Sequence, residues 1–142
     1  MPISNVRSLV SMNAKIEIHD SKVAEICRLD GAVLVHFLPA YLHKSKGRPG
    51  LDPGAGWVQE ARLLFSDANV SGCLPDLPCD VTHGELLVGA ERHDNAIPIP
   101  LTVVASTELR LVFDPAHIVL VTGHAVRLEL VGEPRYVEQF NP

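Results

Sequence analysis

"TELRLVF", residues 107–113, decides the fold class. Thr107, Leu109, Leu111 and Phe113 fall on one side of an extended chain, and Glu108 and Arg110 fall on the other. A strand with one face on a core and one in water produces this alternation. "HAVRLELV", residues 124–131, repeats it, with Val126, Leu128 and Leu130 inward and Arg127 and Glu129 outward. Helical periodicity is weak throughout the chain.

Working outward, "AEICRL" and "AVLVHF" flank Asp30-Gly31. An Asp-Gly pair between two apolar runs signals a two-residue hairpin, because a type I′ turn needs positive φ at both central positions. The pattern predicts a hairpin over 24–37; the competing reading is a short helix over 22–29, since Val23, Ile26 and Cys27 also share a helical face. Further strands are expected at 14–18, 57–65, 85–88, 97–104, 117–122 and 135–140, which makes about ten short strands. That number suits an all-β, antiparallel β-sandwich or flattened barrel. Pro98 and Pro100 cannot donate to a ladder, so the strand they begin belongs at an edge. Short strands without a long crossover helix argue against a parallel α/β fold.

The chain has 142 residues, 46% hydrophobic and 20% charged, which is the size and composition of one globular domain. Residues 1–12 lack periodicity and read as a flexible N-terminal tail, leaving 13–142 as a single β domain. The apolar runs "AVLV" and "IVLV" are far too short to span a bilayer, and the first residues lack the cationic and apolar regions of a secretory signal. No membrane association is expected, and the reading is cytoplasmic. Cys27, Cys73 and Cys79 are odd in number without CxxC spacing, which suits reduced thiols, although a Cys73–Cys79 bridge is conceivable. The net charge is −5; residues 1–66 carry eight cations against six anions, and residues 67–142 carry four against eleven. The acidic second half excludes a broad basic face for nucleic acid.

"AYLHKSKGRPGLDPGAGWVQ", residues 40–59, reads as a long connector before the only tryptophan. Arg48-Pro49-Gly50-Leu51 and Asp52-Pro53-Gly54-Ala55 each place Pro then Gly at the centre of a turn, the pairing a type II turn uses. Neither GxxxxGK[ST] nor GxGxxG occurs, so no phosphate cradle is expected. Lys44, Lys46 and Arg48 alternate and can face an anion or an acidic partner together, against the plainer reading of a solvated loop. Tyr41, His43 and Trp57 complete the candidate binding set, because amphipathic aromatics anchor binding surfaces when they do not simply lid the core. Residues 66–84 form a second long connector, with Asp67, Asp76 and Asp80 in it as solubilising charge.

His19, Asp20 and Ser21 lie side by side, yet adjacent strand residues point to opposite faces, so their adjacency is not evidence for a triad. Asp20 and Ser21 are expected to bond nearby backbone amides at a strand end instead. No GxSxG elbow occurs, and no catalytic residue is assigned. Of seven histidines none shows HxH or HExxH spacing; His19, His36 and His43 are the set weighed as ligands, and no metal or cofactor is assigned.

"IHDSKVAEICRLDGAVLVHF", residues 18–37, resembles the opening of small uncharacterised bacterial β-rich domains that begin with a His-Asp-Ser strand end and run into an Asp-Gly hairpin. Similar openings occur among immunity proteins of bacterial toxin systems. The resemblance covers about a seventh of the chain and implies a β fold and a bacterial origin. The expectation is a non-catalytic binding or interaction module that meets a protein partner or a second copy of itself. The alternative is a small-ligand protein or enzyme with a pocket between residues 41–57 and 66–84, using His19, His43, Arg48 and Trp57.

Overall fold

The computed structural model describes residues 13–142; the tail expected over 1–12 lies outside the described residues. Positive φ angles at Asp30 (45°) and Gly31 (81°) turn the chain back on itself, as the Asp-Gly signal requires. The helix weighed over 22–29 does not form, because Val23, Ile26 and Arg28 pair with the strand that follows. Among the described residues the chain forms β1 (Asn13–Glu17), β2 (Lys22–Leu29), β3 (Ala32–Ser45), β4 (Gly54–Ser66), β5 (Asn69–Gly72), β6 (Cys79–Asp80), β7 (His83–Val88), β8 (Glu91–Asp94), β9 (Ala96–Ile99), β10 (Thr102–Val103), β11 (Thr107–Asp114), β12 (His117–Gly123) and β13 (Ala125–Phe140). A 3₁₀ turn, Ile18–Asp20, joins the first two.

Eight strands make one antiparallel sheet in the order β10-β13-β4-β3-β1-β9, with β2 beside β3 and β6 beside β2. Five make the other, β5-β12-β11-β7-β8. The sheets do not close, so the sandwich is formed and not the barrel. Val33, Val35 and Phe37 of β3 and Leu63 and Phe65 of β4 share one buried cluster with Leu109, Leu111, Val119 and Val121 of the smaller sheet. Each such side chain contributes about 1.5–3 kcal/mol by leaving water. No helix of the described residues is long and apolar enough to cross a membrane.

Three strands are longer than expected: β3 has 14 residues, β4 has 13 and β13 has 16. Most of the supposed connector 40–59 is strand, and residues 46–53 alone lie between β3 and β4. Glycines 54 and 56 belong to β4 because backbone and phenol approach there. A Cβ on Gly54 would lie 2.1 Å from the Lys44 carbonyl oxygen, and one on Gly56 would lie 2.0 Å from Tyr41 Oη. The first expected turn is present: Leu51 N–H donates to Arg48 O at 3.0 Å, with Gly50 at φ 83°. The second is replaced by the start of β4. Residues 66–84 likewise contain two short strands, β5 and β6.

β3 serves two neighbours on one edge. Its first half pairs with β2 and its second half with β1, while β4 runs along the other edge throughout. The register with β4 shifts between Phe37 and Ala40, where Pro39 offers no N–H. Ser21 locks the branch point: 1% exposed, its hydroxyl donates to Glu17 O at 2.8 Å and accepts Tyr41 N–H at 2.9 Å.

Gly56→Ala should therefore cost about 1–3 kcal/mol, the usual toll of overpacking. A urea melt reads this as a lower midpoint; an unchanged midpoint would mean that the Tyr41 phenol moves aside freely.

Candidate functional site

The candidate residues divide between the two faces of the larger sheet, because β3 alternates. Tyr41 and His43 point to the outer face, away from the smaller sheet, and Lys44 points with Leu42 to the inner one. Tyr41 and His43 are nonetheless buried, at 8% and 6% exposure. The Tyr41 hydroxyl donates to Glu138 Oε2 at 2.5 Å, and His43 packs edge-on between Tyr41 (5.1 Å) and Phe140 (4.9 Å). Burial, then the Glu138 carboxylate, pushes the Tyr41 phenol far above the ordinary tyrosine range. Tyr41 is thus held neutral as a donor and fastens β13 across β4 to β3. It is a latch, and it offers neither a base nor a nucleophile.

His43 Nε2 also touches Glu17 Oε2, although that buried oxygen accepts no directed hydrogen bond among the described residues. Glu17 Oε1 lies 3.4 Å from His19 Nε2, which is 3.2 Å from Asp20 Oδ2. Donor atoms of Glu17, His19 and Asp20 all fall within 4.8 Å of one another, a spacing compatible with ligation of one cation. The neighbouring amide opposes this use. Asn95 Oδ1 accepts His19 N–H at 2.9 Å, so its Nδ2 faces His19 Nδ1 and donates to it. The ring proton then sits on Nε2, directed at the two carboxylates, with no lone pair presented to a metal. His36 stands apart from this group, 2.7 Å from Glu60 Oε2. Ser21 contributes no nucleophile, since its hydroxyl is committed to backbone.

On the inner face Lys44 Nζ lies 4.9 Å from the centroid of the Trp57 ring, and Tyr136 meets that ring edge-on at 5.4 Å. Trp57 Nε1 is buried without a partner among the described residues. Lys44 and Lys46 line an open cleft of about 550 Å³ with Asp52, Ala55 and Gln139. Arg48 does not join them; it is paired with Asp52, Nε to Oδ2 at 3.2 Å, inside its own turn. Asp67 and Asn69, from the second long segment, line a separate polar cleft of about 400 Å³ with Glu108 and His124. The segments 41–57 and 66–84 thus border different clefts. His19 and His43 converge on Glu17, whereas Arg48 and Trp57 belong to other surroundings.

Sequence reasoning missed Glu17, Asn95, Glu138 and Phe140, which carry no local signal and reach the site through strand pairing. It also divided β13 at Gly132-Glu133-Pro134 into two strands. As one strand, β13 pairs with β4 on one edge, but on the other, among the described residues, only with β10, at Val126 and Arg127. A further bond joins Leu128 N–H to Leu101 O at 2.9 Å. From Glu129 to Phe140 the second edge has no strand beside it among the described residues. Leu130, Tyr136 (55% exposed) and Val137 (47%) line that edge. Compared with known proteins, the chain matches no family model, no curated protein and no solved structure.

The raised Tyr41 pKa fixes the sign of a pH effect. Folding holds the phenol protonated, so its contribution is complete below the unfolded value, about 10, and is lost as pH rises above it. Tyr41→Phe should cost about 1 kcal/mol at neutral pH and flatten the alkaline fall in stability. Equal alkaline slopes for the two proteins in denaturant melts would rule out the latch as its source.

Proposed function

We propose that this protein is a non-catalytic interaction module whose docking element is the open edge of β13, extended by a strand from a protein partner. The observation that carries the reading is the unpaired run from Glu129 to Phe140 with exposed Leu130, Tyr136 and Val137. Main-chain donors and acceptors along such an edge supply affinity, and alternate side chains supply selectivity. The other edges are less inviting. β8 carries Glu91, Arg92 and Asp94, β9 contains Pro98, β5 has four residues, and the open side of β2 beyond β6 carries Glu25 and Arg28 and runs for only six residues, half the length of the β13 edge.

Trp57 and Tyr136 form an aromatic step beside this edge, in keeping with a partner site near the hairpin tip. An immunity-like role, in which the module covers a toxin's working surface, is one form of the reading. A cytoplasmic setting accords with three free thiols, Cys27, Cys73 and Cys79. The small-ligand alternative has less support: Lys44 and Lys46 line an open cleft while Tyr41 and His43 lie on the opposite face.

A library of short extended peptides, panned against the immobilised protein, tests the docking edge. Binders are expected, and Val137→Lys should weaken them by about tenfold, or about 1.4 kcal/mol. Binders indifferent to Val137→Lys, with the variant folded, would move the docking site elsewhere.

A further inference from the structure

Resting on the reading of β13 as the docking edge, we propose that its occupant is a second copy of this chain, paired antiparallel with Arg135 of each copy facing Glu138 of the other. The segment "RYVE", residues 135–138, is complementary to itself when reversed. Run antiparallel about a two-fold axis between Tyr136 and Val137, it sets Arg135 against Glu138 twice and Tyr136 against Val137 twice. Opposite charges and an aromatic–aliphatic pair are both favourable cross-strand neighbours. A two-fold axis makes every favourable contact occur in duplicate.

Regular alternation would forbid this register, because residues three apart point to opposite faces. β13 is not regular there. Its register against β4 shifts between Tyr136 and Glu138, so that Arg135 stands opposite Val58 and Glu138 opposite Gly56. Val58 and Gly56 are two residues apart on β4 and share a face, and so therefore do Arg135 and Glu138. The irregularity places both charges where a reversed copy can meet them.

Both groups are available. Arginine ion pairs join Arg48 to Asp52, Arg62 to Glu60 and Glu129, and Arg92 to Glu85, which leaves Arg135 unpaired among the described residues. Glu138 accepts from Tyr41 through Oε2, leaving Oε1 for a guanidinium. Arg135, Tyr136, Val137 and Glu138 are all exposed. Pro134 and a second register shift between Val131 and Arg135 confine regular pairing to the last residues of the strand, which makes the contact short.

Light scattering coupled to size exclusion, at high micromolar concentration, tests the pairing. The wild-type protein is expected at twice the monomer mass. Arg135→Glu and Glu138→Arg, each shown to be folded by its thermal transition, should run alone as monomers, because each sets like charges face to face. Mixed in equal amounts, the two variants should recover the doubled mass, since each then supplies the charge the other lacks. Loss of the Tyr41 latch in Glu138→Arg cannot produce that recovery. A monomeric wild-type protein, single variants that remain dimeric, or a mixture that stays monomeric would each overturn the proposal. If Glu138→Arg does not fold, Arg135→Glu decides alone: an undiminished dimer refutes the pairing, and a monomer upholds it. A monomeric wild type that still selects peptides sensitive to Val137→Lys would reject the second copy while leaving the docking edge intact.

Discussion

One strand is longer than the facing sheet can cover, and the rest of the structure follows from how its overhang is covered. At about 3.3 Å per residue, the 14 residues of β3 extend for roughly 45 Å, whereas the longest strand of the smaller sheet has eight residues. The smaller sheet therefore cannot cover the larger one from end to end. Over Val33, Val35 and Phe37 the shared core does the covering. Ala40 and Leu42 still belong to that core; beyond it the chain covers itself by other means, with His43 between Tyr41 and Phe140 outside and Trp57 between Lys44 and Tyr136 inside.

That arrangement explains why the polar side chains near the hairpin are structural. Each is bound to a partner from a distant strand, which satisfies a group taken out of water. Ser21 joins the 3₁₀ turn to β3, Asn95 fixes the His19 ring, and Glu138 holds Tyr41. A hydroxyl bonded to backbone, a phenol held neutral and an imidazole whose Nε2 carries the proton are each committed to holding strands together. Backbone is left unpaired among the described residues along several edges, the longest run being the far edge of β13 from Glu129 to Phe140. The overhanging end of the larger sheet thus leaves a strand edge exposed, and the Trp57–Tyr136 step lies beside it.

Edges elsewhere carry protection of the usual kinds, charge on β8 and proline on β9. β13 has Pro134 and two register shifts, which shorten its usable edge without closing it. The second of those shifts also puts Arg135 and Glu138 on one face. In the proposed pairing, the feature that blunts indiscriminate pairing would also select one register, giving a short edge specificity without length.

The sequence by itself determined the all-β class, its alternating strands and the Asp-Gly turn. Alternation at 107–113 reappears as β11 with Thr107, Leu109, Leu111 and Phe113 buried, and Asp30-Gly31 turns as its chemistry requires. Both depend on interactions within a few residues, namely the two-residue period of side chains and the φ range open to Asp and Gly. Local pattern failed at 40–45 and 54–56, where polar residues and glycines imitate a loop. Only the tertiary structure supplies the phenol above Gly56 and the close carbonyl at Gly54 that make glycine necessary in a strand. The candidate site was illegible for the same reason. Tyr41 meets Glu138 across 97 residues and His19 meets Asn95 across 76, contacts decided by which strands become neighbours in the sheet and by no short-range steric rule.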